Sequence, residues 1–160
     1  MKTIITIALF VLFLAAPVHA IDMDKLVDDL YQYGNGSDRE AYRKIMEDSL
    51  KKSMVGMQKQ LPMRLDEISQ LVKALYVNGR FYYTVMLEGK SQKDLTVQKS
   101  RKFRTEIEGL NRNHVCTNGV IRSMIDVFDV SVLYTYVLAN ASHLFTQHID
   151  KSTCAAFPHP

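Results

Sequence analysis

Cys116 and Cys154 are the only two thiols in this 160-residue sequence. They stand 38 positions apart, without the C-x-x-C spacing of a redox pair and without a surrounding cluster of metal ligands. Joined as a disulfide they would clasp the ends of a helix-plus-hairpin unit. A closed loop of that size stabilises a fold by roughly 4 kcal/mol in chain-entropy terms. The pair is therefore assigned a structural role.

The other side chains that could do chemistry are histidines and carboxylates. His143 and His148 lie five residues apart on one expected strand, a spacing that points them to opposite faces and separates them as metal ligands. His114 sits two residues before Cys116 and could share a metal with it only if the disulfide were absent. His159 falls in a proline-flanked tail. Asp66 and Glu67 are adjacent, so on a strand they face opposite ways. Asp126 and Asp129 bracket the end of an expected helix and read as punctuation between helix and strand. General acid–base catalysis requires two carboxyls whose surroundings drive their pKa values apart, and nothing local supplies that. The nucleophile and zinc motifs G-x-S-x-G, S-x-x-K and H-E-x-x-H are missing. No catalytic residue, metal site or cofactor is assigned.

Residues 1–20 read as a cleaved signal peptide. Lys2 supplies the positive start, residues 4–16 an apolar run too short to span a bilayer, and Pro17-Val18-His19-Ala20 small residues at the cut. Residues 21–160 then form a single domain, and the leader directs it to the periplasm or outside the cell. An oxidising compartment is also where a structural disulfide persists. The formal charge of +3 falls to +2 once Lys2 is removed, too balanced to make nucleic acid a whole-surface partner. Asn35-Gly36-Ser37 and Asn140-Ala141-Ser142 fit the glycan-acceptor pattern. That pattern matters only in a eukaryotic host, whereas the short leader has a bacterial look; whether Asn35 or Asn140 carries a glycan is left open by the sequence.

The elements that must position these residues follow from periodicity. Leu26, Leu30 and Tyr31 predict a helix over 22–33, ended by Gly34-Asn35-Gly36. Ser37 with Glu40 forms the capping-box pattern for a second helix. Tyr42, Ile45, Met46, Ser49, Leu50, Met54 and Met57 mark its stripe, and Leu61-Pro62 ends it. Asn78-Gly79 between two β-rich runs predicts a type I′ hairpin. Phe81, Tyr83, Val85 and Leu87 fall on one side of it, and Tyr82, Thr84 and Met86 on the other. A third helix is expected from about 94 to 111, stopped by Asn111-Arg112-Asn113-His114. A fourth is capped by Thr117 or Asn118, and residues 130–138 and 144–149 form a second hairpin. The fold class is α+β: a four-stranded antiparallel sheet from two hairpins, packed against about four helices, with the one disulfide Cys116–Cys154.

The hairpins carry more aromatic and apolar residues than one covered face needs. Tyr76, Tyr82, Tyr134 and Tyr136 are candidates for an exposed partner-binding patch, since tyrosine offers large contact area with a polar tip. The sequence is accordingly read as an exported, non-enzymatic binding or accessory protein. A chaperone-like or pilotin-like helper of a secretion or surface-assembly system fits, as does an inhibitor of another exported protein. The alternative is a small-ligand carrier or an unrecognised hydrolase with a cleft between sheet and helices, lined by Met57, Phe81, Tyr83 and Phe103. A weaker third reading places Lys99, Arg101, Lys102 and Arg104 on a positive helix ridge against an anionic surface, with Glu106 and Glu108 diluting its field.

Overall fold

The computed structural model describes residues 23–88 and 97–158; the leader and most of the loop expected over 88–93 lie outside them. The element order is α1 (Met23–Gly34), α2 (Arg39–Gln58), β1 (Met63–Arg64), β2 (Ser69–Val77), β3 (Arg80–Leu87), α3 (Val97–Thr117), α4 (Gly119–Phe128), β4 (Ser131–Leu138), β5 (His143–Ile149) and α5 (Lys151–Cys154). The strands form one five-stranded sheet in sequential order, β1-β2-β3-β4-β5.

Both expected hairpins are present. Asn78 and Gly79 take positive φ values of 50° and 75°, the backbone that a type I′ turn demands. The joint between the hairpins corrects the all-antiparallel expectation: β3 and β4 pair in parallel, from Arg80 opposite Ser131 to Leu87 opposite Leu138. The cause is the connection. α3 has 21 residues and at about 1.5 Å per residue spans the length of the sheet. It returns the chain to the end where β3 began, and β4 then runs the same way. A short edge strand, β1, makes the fifth strand, and α5 adds a fifth helix after the second hairpin.

Burial alternates along the strands as a sheet covered on one face requires. Phe81, Tyr83, Val85 and Leu87 are buried on β3 and Val132, Tyr134, Tyr136 and Leu138 on β4, while the residues between them are half-buried. The helices complete the core on the buried face. α4 is enclosed along nearly its whole surface, from Val120 to Phe128, because α1 packs across it on the side away from the sheet. α2 lies against β2 through Met54 and Met57. Its stripe is narrower than expected: Tyr42, Met46 and Leu50 contact the core, whereas Ile45 is 65 % exposed and Ser49 faces solvent.

Two helix ends show where tertiary contacts override local signals, and a third follows its local signal. The Ser37–Glu40 capping box does not form; α2 starts at Arg39 after an Asp38 that makes no side-chain cap bond. Arg39 instead donates to the Val127 carbonyl at 2.6 Å and pairs with Asp129, fixing α2 against the end of α4. α3 continues past Asn111 to Thr117, because Asn111 is buried and bonds inward to Tyr136 and Gln147. Asn118 caps α4, accepting from the Ile121 amide.

Gly34 marks the tightest helix contact. A Cβ there would lie 1.7 Å from Val127 Cγ1, with Phe128 also in reach. Gly34→Ala should therefore push α1 away from α4 and destabilise by about 1–3 kcal/mol, the usual range for overpacking a filled core. Urea unfolding checks this, and an unchanged midpoint would show that the α1–α4 contact can yield.

Candidate docking face

The disulfide sits at the base of a buried polar network. Cys116 and Cys154 are bonded, with Cα atoms 5.2 Å apart and no exposed surface. Arg122 Nη1 donates to the Cys154 carbonyl at 2.7 Å, and its Nε to Asp126 Oδ2 at 2.7 Å. Tyr31 of α1 donates its hydroxyl to the same carboxylate oxygen. Asp126 is thus the partner of a buried arginine, which corrects its reading as punctuation. The arginine was the missed signal, four residues before an aspartate on an apolar helix. Asp129 does close α4, in the left-handed conformation.

α5 is held by Asp150, whose carboxylate accepts from Ser152 Oγ, the Thr153 amide and Thr153 Oγ1. These bonds, the Ser152 one foremost, hold its carboxyl down to about 2 from 3.8. The folded value lies below the unfolded one, so the contribution is complete above about pH 4 and is lost as pH falls toward 2. Asp150→Asn should flatten the stability-versus-pH curve in that window; an unaltered acid limb would deny the cap a role.

The sheet separates the four candidate tyrosines. Tyr76, Tyr134 and Tyr136 lie buried on the helix-covered face and cannot form the expected surface patch; Tyr82 alone is on the opposite face. The reason is phase. Tyr134 and Tyr136 are two residues apart on β4, and its parallel register sets them beside Tyr83 and Val85. Tyr76 stands opposite Phe81. Burial pushes the Tyr136 hydroxyl up to about 12, while Asn111 hydrogen-bonds it.

A bulge likewise overturns the reading of the histidines. β5 shifts register at Leu144, so His143 aligns with Val137 and His148 with Leu133. Both side chains project from the open face, and His143 Nε2 lies 3.0 Å from Thr146 Oγ1. No metal-binding cluster occurs among the described residues.

The basic ridge is largely compensated. Lys102 pairs with Glu106, and Arg104 with Glu108, while the Arg104 guanidinium also lies over the Phe145 ring. Arg101 is exposed; the side chain of Lys99 lies outside the described residues. The expected cleft is filled: Met57, Phe81 and Tyr83 are core residues. Only a shallow recess, with a cavity volume of about 10 Å³, lies at the other end of the sheet, where Phe103 and Ile107 of α3 meet Leu65, Ile68, Val85 and Leu87.

The open face of the sheet is ordered in rows. Leu75, Tyr82, Leu133 and His148 form one, Lys73, Thr84, Thr135 and Thr146 the next, and Gln70, Met86, Val137 and His143 a third. Its apolar members are half-buried by their neighbours on the sheet, and at one corner Val77 is 45 % exposed. Tyr82 was legible in the sequence; Leu75 and Leu133 were not, because the bulge between Leu71 and Lys73 hides the phase of β2 and only the β3–β4 register brings Leu133 alongside.

No protein-family profile matches this chain, and no curated protein matches it by sequence. Solved structures share its fold. The type II secretion pilotin EpsS of Vibrio vulnificus aligns with a TM-score of 0.53 at 8% identity, over 69% of this chain and 93% of that one. The type II secretion pilotin AspS of Vibrio cholerae gives 0.51 at 13%, over 74% and 100%. A Pseudomonas aeruginosa protein thought to be secreted gives 0.51 at 12%, over 68% and 95%. At these identities the likeness is one of fold.

Proposed function

We propose that this protein is an exported accessory protein of the pilotin kind, which holds another exported protein against the open face of its sheet in the cell envelope. The observation that carries the reading is that face: the half-buried apolar row Leu75–Tyr82–Leu133, left bare by every described helix. Exposed apolar patches rimmed by polar residues mark interaction sites. The fold shared with two secretion pilotins supports a helper of a secretion system, and the buried disulfide supports residence in an oxidising compartment.

The test is co-purification from the envelope fraction of cells that make the protein. Wild type should retain one exported protein. Tyr82→Ala should lose it by about 30-fold, the effect of truncating an interface anchor worth about 2 kcal/mol. Circular dichroism controls for folding, since Tyr82 contributes nothing to the core. Retention equal to wild type would remove the open face from the account.

A further inference from the structure

We propose that the bare edge of β5 is a second docking site, which takes an extended acidic segment of another protein as a sixth strand of the sheet. The site is separate from the Tyr82 face and does not depend on it.

The two edges of the sheet are finished differently. On the β2 side, β1 pairs with Gln70 and Leu71, and the Gln58 side chain of α2 donates to the Ala74 carbonyl. β5 is the opposite edge. An edge strand turns the N–H and C=O of every second residue outward. On β5 none of these groups is bonded by a residue outside β4 among the described residues. The strand, His-Leu-Phe-Thr-Gln-His-Ile, also carries no Lys, Pro, Arg, Asp or Glu, the residues that blunt most edges. Its bulge falls at Leu144, before the unbroken run Phe145–Ile149.

Backbone chemistry selects the shape of the occupant. An extended chain offers N–H and C=O groups at the same two-residue repeat as β5, about 6.6 Å. A helix bonds its own backbone groups internally and leaves the edge unpaired.

Charge selects the composition. α3 runs beside β5 in the same direction: the Arg104 guanidinium lies over the Phe145 ring, and the Glu108 carbonyl accepts from Gln147. Arg101 and Arg112 share that side of α3, three residues before Arg104 and four after Glu108. Both are exposed, and neither forms an ion pair among the described residues. Glu108 offsets Arg104, so Arg101 and Arg112 carry the net positive field. They stand about 16.5 Å apart at roughly 1.5 Å per helical residue, the length of about five strand residues. A sixth strand would lie along this row with alternate side chains on the α3 side of the sheet, and carboxylates there reach both arginines. A second copy of this chain would set its own α3 row against the first, like charge against like.

The experiment is an NMR titration of the ¹⁵N-labelled protein, purified as cells export it, with hydrogen exchange read on β5. The probe is a synthetic peptide alternating Thr and Glu, long enough to span the strand. One control replaces Glu by Lys; another is N-methylated at two adjacent central residues, which blocks both of its edges. The Thr-Glu peptide should shift the His143–Ile149 signals and slow exchange of their outward amides. Both controls should bind about tenfold more weakly or less, as should the Thr-Glu peptide with R101E/R112E, whose circular dichroism stays that of wild type. Added salt should weaken the contact further. No binding, shifts centred away from β5, equal binding by either control, an unaffected R101E/R112E, or a dimer joined through β5 in sedimentation would overturn the proposal. None of these results bears on the Tyr82 co-purification, so the two readings fail separately.

Discussion

Replacing both cysteines, Cys116→Ala with Cys154→Ala, should lower the stability of the oxidised protein by about 4 kcal/mol, and by about 2–5 once strain and residual denatured structure are allowed for. The bond closes a loop across 38 positions of sequence, and its removal returns that loop's conformational freedom to the unfolded chain. For a domain of this length the melting temperature should drop by on the order of 10 °C or more. The half-cystines are fully enclosed, so the native protein should resist mild reductants and give up the bond only on unfolding. A melting curve with and without the double substitution measures the effect. A shift of under 2 °C would mean that the clasp contributes little beyond what the core already supplies.

The second large effect is expected at Asp126. Its carboxylate faces Arg122 with only 3% of the arginine side chain and 9% of its own exposed. Asp126→Ala leaves a buried guanidinium with the Cys154 carbonyl as its remaining acceptor and leaves the Tyr31 hydroxyl without its carboxylate. Removing one member of a buried pair costs about 3–5 kcal/mol, largely from the orphaned charge. The compensated variant Arg122→Met/Asp126→Leu should recover most of the loss, since well-packed apolar residues replace buried pairs at little cost. Chemical denaturation of the single and double variants decides it. A double variant as unstable as Asp126→Ala would show that the pair is irreplaceable here, against this account. Because Arg122 also holds the Cys154 carbonyl, the Asp126 and disulfide substitutions should combine to less than their sum.

How much of this molecule was legible in its sequence depends on the range of the signal. The Asn78-Gly79 turn and the alternation of β3 are local, and both hairpins formed as read. The disulfide followed from two thiols in a sequence read as exported. The parallel β3–β4 joint had no local signature; it results from the length of α3 and the side on which the chain returns. The site was lost in the same way. Strand parity assigns residues to faces only while register is unbroken, and bulges at Val72 and Leu144 break it twice. One moved the histidines to a common face and the other hid Leu75 and Lys73. Tyr134 and Tyr136 looked like surface because a tyrosine run gives no sign of which side the helices will cover.

The open face should be occupied wherever the protein works, and a thiol probe in intact cells reads this directly. Thr135→Cys places a reactive group in the middle of that face, and Val55→Cys one on the exposed side of α2. The account predicts that a membrane-impermeant maleimide able to reach the envelope labels Val55→Cys equally in cells and in purified protein. Thr135→Cys should label readily when purified and be shielded in cells. Equal labelling of Thr135→Cys in both settings would contradict it.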